Sequence, residues 1–508
     1  MKNNFDVIVL GGGTAGCVAA WHFVNSGLDT CVIEAGPDYG QYPGGRWPHD
    51  ILNARVAPVT THDWGFKNTN SSGKDLNDIH GKVMGGCSSH NHSTAIWPPP
   101  DDFESWGFPP NSGWSYEELF PLINKVEKVS SDSVTPFRGK EGMMPTRMAD
   151  ESKLSIWQNR LIESVLACGF PRLTDLGTLA PGEGLGRRHA NIANEWVRWN
   201  SSFAFIDPIR TSQKLTILSD TLVDKLVIHG GIASEVICRT SSDSAFSLGA
   251  KRFVLSAGPY GSPLVLLRSG IGPTKELSRF SISRNIALEG VGANLQDHPG
   301  ITLQFSPRNE GAEMIRRDVK EGRRLIVPSI LRAKSSVSER SYDLHIILQA
   351  FLNSNDSCAF GTTVFGVDPK SRGNLGLIGA DPKLAPRVDY RYFSEERDIS
   401  ALTDGISISR RIWKSKPTSQ LIADELAPGG KSVRDYIVQN SSSYHHPVGT
   451  CRMGPVSDGD SVVDYSGLVI GSDNIYVADS SIIPRIPRVN TCFIALLAGL
   501  KVAMSAAG

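Results

Sequence analysis

The chain has 508 residues, with 52 Lys+Arg against 52 Asp+Glu, so its formal net charge is zero. That balance argues against a nucleic-acid binder working through a basic surface. Charged residues at 20% and apolar residues at 40% are globular values and exclude a largely disordered chain. The eight cysteines are scattered and form no CxxC pair, so a zinc ribbon, a redox dithiol and a disulfide framework are all unsupported. Reduced thiols in a cytoplasmic enzyme with no metal centre are the plainer expectation.

The first element is Asp6-Val7-Ile8-Val9-Leu10, a short apolar run ending in glycines, which reads as a buried parallel strand. Asp6 and the Gly11-Gly12-Gly13 run make residues 2–20 a poor secretion signal. Thr14 to Ser26 has helical spacing, and Thr30-Cys31-Val32-Ile33 forms a second strand ending at Glu34, which completes a βαβ unit. Further strands are predicted at Leu215–Leu218, Lys225–Ile228, Ser234–Cys238, Arg252–Leu255 and Asn474–Val477. Residues 301 to 440 alternate polar and apolar stretches instead, as in Tyr342 to Leu348, which predicts an inserted antiparallel unit. Phe493 to Ala507 is apolar but carries Lys501 and reads as a buried helix. No stretch reaches the ~18 uncharged apolar residues of a membrane span.

Gly11-x-Gly13-x-x-Gly16 sits between the first strand and the helix. The first glycine permits a tight turn, the second lets backbone approach a pyrophosphate, and the third lets helix and strand pack closely. The helix N-terminus at Thr14 and Ala15 supplies free N–H groups and a partial positive charge. Glu34, followed by Ala35, ends the next strand, and its carboxylate can accept hydrogen bonds from ribose hydroxyls. Taken alone the glycines could be an ordinary turn. Both strands and the acid make them a dinucleotide site, and spacing does not separate FAD from NAD.

Four further segments narrow the choice: Gly81-Lys82-Val83-Met84-Gly85-Gly86-Cys87-Ser88-Ser89-His90-Asn91, Gly258 to Gly272, Gly290-Val291-Gly292-Ala293-Asn294-Leu295-Gln296-Asp297-His298-Pro299, and His445-His446-Pro447-Val448-Gly449-Thr450 with Val477-Ala478-Asp479-Ser480 and Asn490. With the glycine cradle, these resemble the glucose-methanol-choline (GMC) family of FAD-dependent alcohol oxidoreductases, in the family's order from residue 5 to the C-terminus. The resemblance implies an α/β chain (α+β overall). A discontinuous Rossmann-like FAD-binding domain would comprise residues 1–150, 190–300 and 443–508. An inserted substrate-binding domain, built on an antiparallel sheet, would comprise residues 151–189 and 301–442. It also implies FAD rather than NAD. Gly85, Gly86 and Asn91 would run along the flavin. Val223, between two strand candidates, would meet the adenine through its backbone. Asp479 would sit near the pyrophosphate and ribityl chain, and an N-cap role for it is compatible. In one branch of the family the residue matching His90 is bonded covalently to the flavin; the alternative is a non-covalent imidazole packed near the ring.

Oxidising an alcohol removes a hydroxyl proton and a hydride from one carbon, and His suits the proton because its unperturbed pKa is about 6.5. His446 matches the family's catalytic His, and Pro447 biases its backbone toward an extended form. Asn490, 44 residues later, matches the partner that holds the substrate oxygen. Adjacent residues on a strand point to opposite faces, so only one of His445 and His446 can meet the flavin directly, and His445 is assigned to structure or outer hydrogen bonding. Cys492 reads as a core filler. His345 and Gln349 are weak candidates for substrate contact, and Ile347 stands where a second active-site His would match, which counts against choline. The leading expectation is a primary-alcohol oxidase: His446 as base, hydride to flavin N5, and dioxygen reduced to hydrogen peroxide. The expected substrate is a hydroxymethyl (hetero)aromatic such as pyridoxine. The alternatives are a dehydrogenase passing electrons to a quinone or another carrier, and a hydroxynitrile lyase with redox-idle FAD. Partners are limited to the alcohol and oxygen, with no nucleic acid and no membrane.

Overall fold

The computed structural model describes residues 2–69, 72–130, 137–177, 182–193 and 196–508. Strand β1 (Asn4–Leu10), helix α1 (Thr14–Asn25) and strand β2 (Thr30–Ile33) form the expected unit. β1 pairs in parallel with β2 and with Ala245–Leu255, β2 pairs in parallel with Leu215–Leu218, and Ala245–Leu255 pairs in parallel with Ile475–Val477. An antiparallel extension, Thr221–His229 and Ile232–Thr240, completes this sheet beyond Ala245–Leu255. Val7 to Leu10 and Cys31 to Ile33 are essentially inaccessible, as a sheet covered on both faces requires.

Val223 corrects the reading that put it between two strands. It lies inside Thr221–His229, at an irregularity of register between Val223 and Lys225. Such an irregularity frees a backbone position from the ladder, and the Val223 carbonyl accepts from Arg268 Nη2 at 3.3 Å.

A second sheet is antiparallel at its centre. Pro299–Pro307, Cys358–Gly366, Leu344–Leu352 and Ile326–Ala333 are neighbours in that order, with Gly184–Arg187 beside Ile326–Ala333 and Ile422–Ala427 on the other edge. Helices Ile156–Ala167 and Glu396–Lys414 cover it, burying Trp157, Leu161, Leu402, Ile406 and Trp413 in a core separate from that of the first sheet. The C-terminal helix Cys492–Ala507 instead packs on α1, where a Cβ added at Gly499 would meet the Ala15 backbone oxygen at 2.7 Å. Among the described residues no helix is long and apolar enough to cross a membrane.

Candidate active site

One cavity of about 520 Å³ runs from the glycine turn to the inner face of the second sheet. At its first end the glycines meet steric limits. A Cβ at Gly16 would lie 1.9 Å from the Gly11 oxygen, and one at Gly11, with φ of +110°, would lie 2.6 Å from the Ser256 oxygen. Gly13 has room above it: its nearest neighbour, Gly86 Cα, is 3.8 Å away. The loop carrying Gly85 and Gly86 lies on this turn, with Gly85 N–H donating to the Gly12 oxygen at 2.8 Å. The left-handed Gly85 and Gly86 (φ +90° and +53°) let it approach so closely.

Glu34 is buried, and its two carboxylate oxygens accept from Gly12 N and Gly36 N, each at 2.9 Å. Burial raises its pKa to about 7. A carboxylate has about four acceptor positions, so two remain for hydroxyls from the cavity side. Asp479 accepts from Gly258 N at 2.9 Å, Ser262 Oγ at 2.5 Å and Ser481 N at 2.8 Å, the last as the cap of the short helix Ser480–Ile482. Gly11, Gly13, Thr14, Ala15, Glu34, Ala35, Gly86, His90, Asn91, Val223 and Asp479 all line the cavity; Gly16 and Gly85 do not. His90 is buried with neither ring nitrogen hydrogen-bonded, and burial lowers its pKa to about 4, so it is a neutral imidazole with free nitrogens.

At the other end Asn490 Nδ2 lies 3.0 Å from His446 Nε2. Two buried ion-pair and hydrogen-bond systems aim these side chains. His446 N–H donates to Asp297 Oδ1 at 2.7 Å, while Tyr392 and Ser443 hydroxyls donate to Asp297 Oδ2, each at 2.5 Å. Two residues before Asn490, the fully buried Arg488 binds Asp102 through N (2.9 Å) and Nε (2.7 Å), and Asp101 through Nη2 (2.6 Å). His446 Nδ1 in turn lies 3.0 Å from His298 Nδ1. Burial, then the neighbouring His298 and His445, hold the His446 pKa well below its ordinary value, so the ring is neutral at pH 7.

His445 requires a correction. It is not on a strand: its φ is +62°, and it lines the same cavity as His446. Its Nδ1 lies 3.5 Å from Asp78 Oδ1. His345 does not reach the cavity. It shares a strand face with Ile347 and Gln349, which do line it, but Tyr342 stacks on it and Tyr444 packs against it edge-on, leaving both nitrogens buried and unpaired. Cys492 also lines the cavity. The sequence reading missed His298 and Tyr444. His298 stands in the Gln296-Asp297-His298-Pro299 segment, whose polar run before a proline was its only signal.

The model of the N-terminal part of GMC oxidoreductases matches residues 5–300, and that of the C-terminal part matches residues 369–499. The chain belongs to the GMC oxidoreductase family. This GMC oxidoreductase therefore binds FAD and acts on CH–OH donors, oxidising a small-molecule alcohol. It is 29% identical to the choline oxidase of Arthrobacter globiformis, over 98% of this chain and 93% of that relative. To the oxygen-dependent choline dehydrogenase of Photobacterium profundum it is 27% identical, over 96% of this chain and 90% of that relative. Among solved structures, pyridoxine 4-oxidase from Mesorbium loti superposes with a TM-score of 0.86 at 24% identity, covering 98% of each chain. Formate oxidase superposes with a TM-score of 0.84 at 22% identity, over 99% of this chain and 98% of that one; both likenesses speak to fold. The residues present fit FAD: an unobstructed glycine turn, a buried acid with spare acceptor positions, and a neutral imidazole whose nitrogens have no protein partner.

Proposed function

We propose that this GMC oxidoreductase is an oxidase of a primary alcohol on a hydroxymethyl aromatic or heteroaromatic ring, pyridoxine being the reference substrate, with dioxygen as final acceptor. The observation that carries the reading is the 3.0 Å pair of a neutral His446 and Asn490 at one end of a cavity walled by Ile330, Ile347, Phe365 and Tyr444. Bound FAD supplies the acceptor for the substrate's hydride. His446 Nε2 takes the hydroxyl proton, and general-base help of this kind is worth about 10²–10⁴-fold. Asn490, whose Nδ2 stands 3.0 Å from His446 Nε2, donates an N–H to the substrate oxygen and holds it against that nitrogen. The aromatic wall fits a planar ring: Tyr444 stacks on Phe365 at 3.7 Å and leans on His446 at 4.2 Å.

Gly11, Gly13, Thr14, Ala15, Gly16, Glu34 and Ala35 hold the nucleotide half in this reading. Val223 meets the adenine, and Gly85, Gly86, Asn91 and Asp479 flank the flavin side. His90, with both nitrogens free, is the site for a covalent flavin bond. Denaturation in SDS tests that bond: retained yellow colour in the protein band supports it, and complete loss of colour excludes it. Anaerobic mixing with pyridoxine, hydroxymethylfurfural, benzyl alcohol and choline tests the activity. Bleaching of the flavin by an aromatic alcohol, with H2O2 formed on admitting air, is expected. Electron transfer to a dye but not to oxygen would make the enzyme a dehydrogenase. Cyanohydrin cleavage with no bleaching by any alcohol would overturn the reading.

A further inference from the structure

Among the described residues, Arg188 is a buried cation without an acid. It follows the strand Gly184–Arg187, is 8% exposed, and lines the cavity that holds His446 and Asn490. Among the described residues its guanidinium donates from Nη1 to Thr94 Oγ1 at 3.2 Å, and no Asp or Glu pairs with it. Of the other buried arginines, Arg138 meets Glu127 and Asp175, Arg268 meets Asp224, and Arg488 meets Asp101 and Asp102, while Arg198, with no acid, donates to the backbone oxygens of Asn91, Asp50 and Ser89. Arg332 also lacks an acid, but it packs on the Tyr342 ring outside the cavity. A largely buried guanidinium that lines a cavity with no acid beside it is completed most favourably by an anion entering that cavity.

The surroundings have the same sign. Arg324 and Arg198 lie within electrostatic range of this region, and His92, another cavity residue, is pushed to about 3 by burial and then by Arg188 and Arg324. Both carboxylates lining the cavity are engaged elsewhere, Glu34 by Gly12 and Gly36, and Asp479 by Gly258, Ser262 and Ser481. Arg188 is also near the reacting end, since the Tyr444 hydroxyl interacts with both the Asn490 side chain and the Arg188 charge. The cavity thus offers an unmatched cation within electrostatic range of Tyr444, whose ring packs on the base His446 and whose hydroxyl meets the Asn490 amide.

We propose that the substrate alcohol carries a carboxylate, which pairs with Arg188 while its carbinol meets His446 and Asn490. This deepens, and rests on, the alcohol-oxidase reading: the substrate is a hydroxymethyl aromatic acid. A planar guanidinium takes a carboxylate in two parallel hydrogen bonds and so fixes the ring's orientation as well as its affinity. A quaternary ammonium substrate would meet this charge unfavourably, which separates the site chemically from the activity named for the choline relatives.

The test uses the holoenzyme under anaerobic conditions. The flavin reduction rate per unit concentration is compared for 4-(hydroxymethyl)benzoate, 4-(hydroxymethyl)benzamide and benzyl alcohol. The flavin spectrum is also titrated with benzoate and with benzamide, which cannot react. The acid is expected to exceed the amide about 10- to 100-fold in both measurements, the range of charge-assisted hydrogen bonds. Arg188→Gln should erase that ratio and Arg188→Lys should retain part of it. An acid-to-amide ratio near one in the wild-type enzyme, or an undiminished ratio in Arg188→Gln, overturns the proposal. Bleaching by benzyl alcohol with no preference for the acid refutes the carboxylate and leaves alcohol oxidation standing. A tight benzoate complex with no alcohol bleaching the flavin upholds the Arg188 site and removes the oxidase reading.

Discussion

Replacing His298 with leucine should slow flavin reduction by about 10- to 100-fold, and the geometry sets that size. The Asn490 amide nitrogen can only donate, so His446 Nε2 accepts, and the imidazole's own proton lies on Nδ1. That proton points to His298 Nδ1 at 3.0 Å, with the rings edge to face at 89°. Burial holds His298 at a pKa of about 3, so it stays a neutral acceptor throughout the working range. When His446 takes the substrate proton, the Nδ1 bond becomes charge-assisted and contributes about 1.5–3 kcal/mol. Leucine removes the acceptor and leaves a buried imidazolium N–H unmatched. His298→Gln, whose carbonyl can accept, should recover much of the rate. The pH profile provides a second readout. The folded pKa of His446 is already below its ordinary value, so its base form persists as pH falls through 6.5 and the acidic limb of reduction lies lower. His298 is uncharged there, so the lost hydrogen bond sets the sign, and leucine should move the limb lower still. Reduction within threefold of wild type, measured by anaerobic stopped flow from pH 5 to 9, or a limb that moves upward, would refute this account of the pair.

Glu34→Ala should mainly weaken FAD retention, because it strands the Gly12 and Gly36 N–H groups in a buried site at about 1–3 kcal/mol each. Flavin content after gel filtration checks it, and full occupancy with lost turnover would contradict it. Gly16→Ala places a Cβ 1.9 Å from the Gly11 oxygen, so α1 must shift away from the turn. Overpacking of this kind costs about 1–3 kcal/mol. FAD affinity should fall, while the reduction rate of reconstituted enzyme should stay near normal, which flavin titration and stopped flow distinguish.

The nucleotide half was legible because its signals are local. β1, α1 and β2 announce themselves through an uninterrupted apolar run, three glycines at fixed spacing and a terminal acid, all within residues 4–34. The C-terminal helix was legible for the same reason. His446 and Asn490 emerged only through motif resemblance, because nothing in a lone His and a distant Asn predicts a 3.0 Å contact. His298 stayed hidden because its partner is 148 positions away and the pairing depends on how Asp297 orients the His446 backbone. Arg188 was invisible for a related reason: its significance is the lack of an acid beside it, a property of packing between the strand Gly184–Arg187 and its neighbour Ile326–Ala333. His445 misled because the strand alternation rule was applied where the backbone turns through a left-handed residue.

The most direct test is anaerobic stopped-flow reduction of FAD-loaded His446→Ala by an alcohol that bleaches the wild-type flavin. Loss of about 10²-fold or more in the reduction rate, with flavin content and spectrum unchanged, is the predicted result. A variant that retains its flavin and reduces it at a near-normal rate would show that the proton leaves by another route, and the assignment of His446 as base would fall.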